Sequence, residues 1–497
     1  MILNKLTLKT FALTGFLFIG SFYASAQKEL TLEEALLIAF DNSPDIKKSR
    51  INMQQNKERL NAQLASLRSR FSFDVTPISY EKTESYNEYF STWNTSENKG
   101  ASGTFTVSQP IKLTDGKLSL RNEFGYQDNS SEASGSSYSG YNNSLYMQYD
   151  QPIFTFNKTK MDLTRNELNL ENATLSYSIQ MLNIERQVNQ AFYNIYQKQM
   201  ALKISEEEYE NQKISKEIIA SKVEGGLSAK EELYQAELNL ATSKSNMDNN
   251  QVELENAKDD FKLLLGISLY EDIAVSTNIQ YVPVIVDLEK AIQNGLSQRL
   301  ELTQREIDLN NAKFDLIETS SINEFKGNIS LSMGIMGNNK NLADVYDKPT
   351  KSPRVGVTFS IPIFDWGERR ARIRAAELEV ESRQIDKNSL KDDITINIRK
   401  TYRNLQNLIQ RIEIAKQNEK NAQLTYDINL ERYRNGDLTS IDLERFQNQL
   451  SGKKMELANS LIRYKLELLN LKIQSLWDFE KDQSFVPLEL QENLKMN

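Results

Sequence analysis

The chain has 497 residues with no cysteine and no histidine, and its 60 Lys and Arg against 68 Asp and Glu leave a net charge of −8. Disulfides, thiolate chemistry and a lipid-bearing cysteine are excluded, and the commonest general base and transition-metal ligand is missing. The acidic balance disfavours nucleic acid as a partner, and neither a cofactor nor a metal site is expected.

The first residues carry Lys5 and Lys9, then an apolar run from Phe11 to Phe22, then Ala24-Ser25-Ala26. This pattern reads as a secretory leader over residues 1–26 with an Ala-x-Ala cleavage site. The run is well short of the roughly 20 apolar residues that a spanning helix needs. Losing Lys5 and Lys9 takes the charge from −8 to −10. No later stretch is apolar enough for a membrane helix, so a membrane crossing would have to be made by β-strands.

The rest of the chain is an internal duplication. Pro152-Ile153-Phe154 and Pro362-Ile363-Phe364 lie 210 positions apart, each followed by a basic helix start. At the same offset "QVNQAFYNIYQ" (187–197) aligns with "NIRKTYRNLQN" (397–407), and "VEGGLSAKEELYQAEL" (223–238) with "YRNGDLTSIDLERFQN" (433–448). Further upstream "LTLEEALLIAFDNSPDI" (30–46) matches "VDLEKAIQNGLSQRLEL" (286–302) at an offset of 256, so the first half carries 46 extra residues. The expected organisation is a first repeat at 27–266, a linker at 267–287, a second repeat at 288–476 and a tail at 477–497. The linker and tail are expected to form a small mixed belt around the helices.

Each repeat reads as short helix, strands, long helix, Gly turn and return helix. The long helices are expected at 158–222 and 368–434, since neither span contains proline or glycine; at about 1.5 Å per residue each approaches 100 Å. Return helices are expected at 228–265 and 438–476. Shorter helices before the strands, 44–70 and 301–324, would stack on them end to end. In the first return helix Leu233, Ala236, Leu240, Ser243, Met247, Asn250, Leu254, Ala257, Phe261 and Leu264 form a heptad seam.

Four stretches within 71–154 and 325–364 alternate with period two: Phe71, Phe73 and Val75; Leu145, Met147 and Tyr149; Ile329, Leu331, Met333 and Ile335; Val355, Val357, Phe359 and Ile361. One face is apolar and the other small and polar, as between lipid and a wet lumen. Four strands cannot close a barrel, so the chain is expected to oligomerise, three copies giving twelve strands continued by twelve helical columns. Inside the insertion, Thr114-Asp115-Gly116 separates "GTFTVSQPIKL" from "GKLSLRNEFGYQ", a hairpin signal. It either adds wall strands or protrudes outside the cell; protrusion is favoured. The prolines are expected to end the strand ladders at the strand-to-helix switch, marked by Pro152, Phe154, Pro362 and Phe364. Arg369, Arg370, Arg372 and Arg374 then sit where the helix dipole disfavours cations, which suits contact with anionic headgroups or a neighbour's acids.

By the order and spacing of these motifs the chain resembles the TolC-like outer-membrane efflux family. The resemblance rests on the opening helix, the doubled Pro-Ile-Phe step, the turns "GGLSAKEEL" and "NGDLTSIDL", and the duplication. It implies a non-enzymatic homotrimer in the outer membrane of a Gram-negative bacterium, a β-barrel with an α-helical periplasmic tunnel. It further implies an exit duct for efflux or type I secretion, docked to a periplasmic adaptor and an inner-membrane pump of RND or ABC type. By the same resemblance the helix turns form a closed tip. Asp442 and its counterpart Glu232, with Glu231 beside it, would line the constriction, while Arg445 stands where a second acid can occur and could pair with Asp442 or a neighbour's acid. Tyr433 would help latch the tip. Gly225, Gly226, Leu227, Ser228, Gly436, Leu438 and Thr439 would be gripped by the adaptor. The competing reading is a soluble periplasmic coiled-coil scaffold or adaptor, which leaves the alternating strands unexplained.

Overall fold

The computed structural model describes residues 28–132, 135–276, 281–435 and 437–487. The expected leader and Gly436 lie outside the described residues. Two long helices dominate the rest, α3 (Lys158–Glu224) and α7 (Glu368–Arg434), of 67 residues each. Their return partners α4 (Lys230–Leu265) and α8 (Ser440–Ser475) have 36 residues each. The remaining helices are short: α1 (Leu32–Asn42), α2 (Pro44–Ser66), α5 (Leu288–Gln298) and α6 (Leu300–Ser320).

The ends of these helices are set locally. Thr31 and Glu34 close a capping box on α1, and Asp287 accepts from the Glu289 and Lys290 amides at the start of α5. Helix α4 stops at Gly266, which adopts φ +69. A Cβ there would lie 2.4 Å from the Asn42 carbonyl oxygen, so the end of α4 abuts the start of α2 and the two make one column. Likewise Arg299, just before α6, donates to the Gln474 carbonyl near the end of α8 at 3.5 Å. The columns run in the order α4 with α2, then α3, then α8 with α6, then α7.

The core lies where the stacked helices meet. Ile184, Val188 and Phe192 of α3 pack on Phe261 and Leu265 of α4 and on Ala35, Ala39 and Ile46 of the short helices. All ten seam positions of α4 are buried or half-buried, because residues seven apart return to one face of a helix. A second cluster joins Ile394, Ile398 and Leu405 of α7 to Tyr464, Leu468 and Leu471 of α8. The Tyr464 hydroxyl donates to the Val282 carbonyl at 3.1 Å and accepts from the Val284 amide at 2.9 Å, pinning the linker to the helices. Around this level run two small pairs: β1 (Lys28–Leu30) parallel to β6 (Ile273–Val275), and β9 (Trp477–Asp478) against β10 (Gln483–Ser484).

At the far end stands one antiparallel sheet of six strands. In chain order these are β2 (Arg70–Asn87), β3 (Thr92–Ile111), β4 (Gly116–Ser131), β5 (Ser136–Ile153), β7 (Lys326–Asn339) and β8 (Thr350–Ser360), which is also their order across the sheet. This corrects the expectation of four strands and of a protruding hairpin. The insertion pairs along its whole length, Phe73 with Phe105, Val107 with Leu120 and Leu120 with Met147. The turn at Thr114-Asp115 lies on the helix side of the sheet: Asn157 donates to the Lys112 and Leu113 carbonyls, and Asp115 accepts from the Lys158 and Thr159 amides at 3.3 and 3.0 Å. A carboxylate from the insertion therefore caps the first long helix.

The strand-to-helix switch also differs in detail from expectation. Pro152 lies within β5, opposite Asn328, and only Pro362 falls beyond its strand. Pairing of β5 with β4 has already ended at Asp150, so Pro152 needs no amide on that side. The chain instead turns at Phe154, Trp366 and Gly367, with φ of +58, +54 and +82. Arg369 is not an unfavourable charge at a helix start: its guanidinium donates to the Ser320 carbonyl at 2.9 Å, at the C-terminus of α6, where the dipole favours a cation. Arg372 pairs with Glu368 at 2.7 Å and Arg374 with Glu377 at 3.1 Å.

Candidate functional site: a helical tip and a membrane wall

At the tip α3 passes to α4 through Gly225 and Gly226, the latter at φ +74, and the Leu227 amide returns to the Lys222 carbonyl at 2.7 Å. The second turn repeats that bond, Asp437 to Arg432 at 2.9 Å. The apolar residues of the two turns differ. Leu227 is 83% exposed, whereas Leu438 packs into a cluster with Tyr426, Tyr433, Leu443 and Leu450.

The acids sit at helix starts. Asp442 is the third residue of α8: its amide donates to the Thr439 hydroxyl at 3.2 Å and its carboxylate accepts from that hydroxyl at 2.7 Å. Glu232 accepts from Ser228 at the matching place in α4, with Glu231 exposed beside it. Each acid thus lies in the first turn of its helix, where the dipole favours an anion, and leaves charge at the tip; in α8 the cap itself is Thr439. Arg445 is exposed and makes no ion pair among the described residues, so it does not join Asp442 within one chain. Tyr433 is only 3% exposed; its hydroxyl lies 3.3 Å from Ser215 of α3 and the Lys222 ammonium stands over its ring at 5.2 Å.

Several tip contacts carried no sequence signal. Asn239 of α4 donates to Glu444 of α8 at 2.9 Å, and Lys454 of α8 pairs with Glu207 of α3 at 3.2 Å. Burial, then the charge of Glu444, holds the Glu208 carboxyl above its usual range. Between α3, α7 and α8 an open cleft is lined by Glu207, Glu208, Tyr426, Gln447 and Lys454, and Gln212, Asn429 and Gln447 are among the buried side chains nearby. In the lower part of the hairpins these polar contacts thus run alongside an apolar cluster that Ile218 of α3 shares with Tyr426, Tyr433, Leu443 and Leu450.

The sheet shows one face of each kind. A single row of paired residues reads Phe71, Val107, Leu120, Met147, Met333 and Pro353 across all six strands, and its neighbour reads Arg70, Ser108, Ser119, Gln148, Ser332 and Arg354. Successive residues of a strand face opposite sides, so the first row belongs to an apolar face and the second to a polar one. Phe71, Phe73, Val355 and Val357 are all more than half exposed. At the helix end aromatic residues gather: Phe154 meets Phe325 at 5.5 Å and Phe364 meets Trp366 at 4.7 Å. An apolar strand face with aromatic residues gathered at its end is the pattern expected of a membrane strand wall.

The family profile described as Outer membrane efflux protein matches residues 328–472, covering β7, β8, α7 and most of α8. The match lies in the second repeat, which is similar to that family. Among the chain's curated relatives is the outer membrane protein TolC of Salmonella enteritidis, 23% identical over 228 residues, 44% of this chain and 46% of that protein. TolC of Escherichia coli is 23% identical over 240 residues, 47% of this chain and 48% of that protein. The chain thus spans about half the length of the curated relatives it matches. Over nearly its full length the chain has the fold of the Campylobacter jejuni CmeC outer membrane channel, with a TM-score of 0.70 at 16% identity, covering 94% of this chain and 88% of that one. The open-state MtrE outer membrane channel of Neisseria gonorrhoeae gives 0.63 at 11% identity, covering 89% and 88%. The proteins this chain resembles are named as outer-membrane proteins and channels.

Proposed function

We propose that three copies of this chain form a passive exit duct, energised by an inner-membrane pump through a periplasmic adaptor, for efflux or type I secretion. The observation that carries the reading is that one chain joins a two-faced strand wall to helical columns of about 100 Å, with the wall open at both edges, β2 and β8. Unpaired edges are not tolerated in lipid, so copies must meet there. A soluble scaffold has no use for the apolar face.

In this reading Asp442, Glu232 and Glu231 from each copy crowd the tip, repelling one another and favouring cations. Tyr433, through Ser215, ties the α7–α8 hairpin to α3. Opening is a shear of that hairpin along α3, which breaks the polar contacts there and slides Ile218 over the apolar cluster of Tyr426, Tyr433 and Leu443. Arg445 is free to meet an acid of a neighbouring copy. The adaptor grips the turns at Gly225, Gly226, Leu227, Ser228, Gly436, Leu438 and Thr439, with exposed Leu227 as the apolar anchor.

The test is detergent extraction from the outer membrane followed by mass determination and planar-bilayer recording. A trimer with cation-selective current is expected. Because Asp442 and Glu232 also accept from the Thr439 and Ser228 hydroxyls at their helix starts, the gate variant is Asp442→Asn with Glu232→Gln, which keeps the acceptors and removes the charge. Unchanged selectivity would remove these acids from the constriction, and a water-soluble monomer would remove the duct.

A further inference from the structure

We propose that all six strands of each chain stand in the membrane wall, so that β8 of one copy pairs antiparallel with β2 of the next. With the three copies of the preceding reading, on which the count rests, the barrel has eighteen strands and its mouth is as wide as the helical tunnel beneath it. The partner for the two open edges is a second copy of this chain.

Three observations point there. The apolar row through Phe71, Val107, Leu120, Met147, Met333 and Pro353 runs unbroken across the inserted strands β3 and β4, and so does the polar row beside it. A hairpin standing outside the cell has water on both faces and no reason to continue that division. The strand directions also permit closure: six strands alternate, so the edge strands β2 and β8 run oppositely and an identical copy extends the ladder without a parallel pair.

The third observation is the fit between the two halves of the molecule. Strands about 4.8 Å apart and tilted by about 40° occupy about 6 Å each of circumference, so six span about 38 Å of arc. Four helical columns packed about 10 Å apart span about 40 Å. Four strands would cover only about 25 Å, and the wall would have to narrow above the helices. The insertion removes that mismatch, whatever the number of copies. A wall of this width leaves the periplasmic tip as the one narrow point, which suits bulky cargo.

The absence of cysteine makes each introduced thiol unique. Spin labels at Val107→Cys and Leu120→Cys, in the full-length protein in lipid vesicles, are expected to collide several-fold more often with oxygen than with a water-soluble nickel chelate. Labels at Ser108→Cys and Ser119→Cys should show the reverse. Water access at both Val107 and Leu120 would overturn the six-strand wall. Paired thiols, one in β2 and one in β8 at staggered heights, are expected to oxidise into cross-linked dimers and trimers; no cross-link at any stagger overturns the closure between copies. The label pattern reads wall membership regardless of copy number or pump, so its failure is distinct from a wrong mass for the assembly.

Discussion

Tyr433→Phe is the most direct probe of how the tip is held. The change keeps the ring, and with it the Lys222 contact at 5.2 Å and the packing on Leu443, and removes only the hydroxyl that lies 3.3 Å from Ser215. A net hydrogen bond is worth about 0.5–1.5 kcal/mol, and at this length the lower half of that range applies. Three copies moving together then lose about 1.5–3 kcal/mol of closed-state preference, which at about 1.4 kcal/mol per decade raises the open-to-closed ratio roughly 10- to 100-fold. Single-channel recording in planar bilayers reads that ratio as open probability. Ser215→Ala should give the same increase, and the double variant should add little, since both remove one bond. If the two effects are additive, or open probability does not move, the contact is not a latch and the hairpin does not slide along α3.

Three further outcomes follow from other contacts. Gly266→Ala places a Cβ 2.4 Å from the Asn42 carbonyl at a backbone with φ +69; with about 1–2 kcal/mol for the left-handed conformation alone, the thermal midpoint of the assembly should fall, while Gly452→Ala, inside α8 with open space around its Cβ, should raise it, since Ala is favoured over Gly in a helix by about 1 kcal/mol. Asp115→Gly relieves a backbone at φ +60 but removes the carboxylate that caps α3; a net loss near ~1 kcal/mol in chemical unfolding is expected, and a gain would show that the cap contributes nothing. Burial raises the Glu185 carboxyl to about 7 from 4.5, with Lys472 opposing and Asp478 adding to the shift. The folded protein then holds a proton that the unfolded chain has released, so stability declines as pH rises from about 4.5 to 7. Glu185→Gln should flatten that part of the melting profile relative to the parent, and parallel profiles would refute the assignment.

What could be read from the residues in order was whatever is decided within a few residues of itself. The lengths of α3 and α7 follow from spans without proline or glycine, the seam of α4 from its heptads, and the turns from the glycines between the helices, because helix continuity and turn formation are local properties. The duplication is legible for the same reason, since each repeat spells the same run of local choices. The wall was not legible in full. Phe105, Val107, Leu118 and Leu120 alternate, but whether such a hairpin stands in a wall or beyond it depends on which strand lies alongside, and that is settled by pairing between residues far apart, Phe73 with Phe105 and Leu120 with Met147. The same holds for Asp115 capping α3, for Arg369 at the end of α6, and for Tyr433 meeting Ser215. By itself the sequence determined the elements and their doubling. The number of strands in the sheet, the side on which the insertion turns and the partners of the tip residues were decided only by tertiary structure, because each depends on contacts across columns and strands that no local pattern encodes.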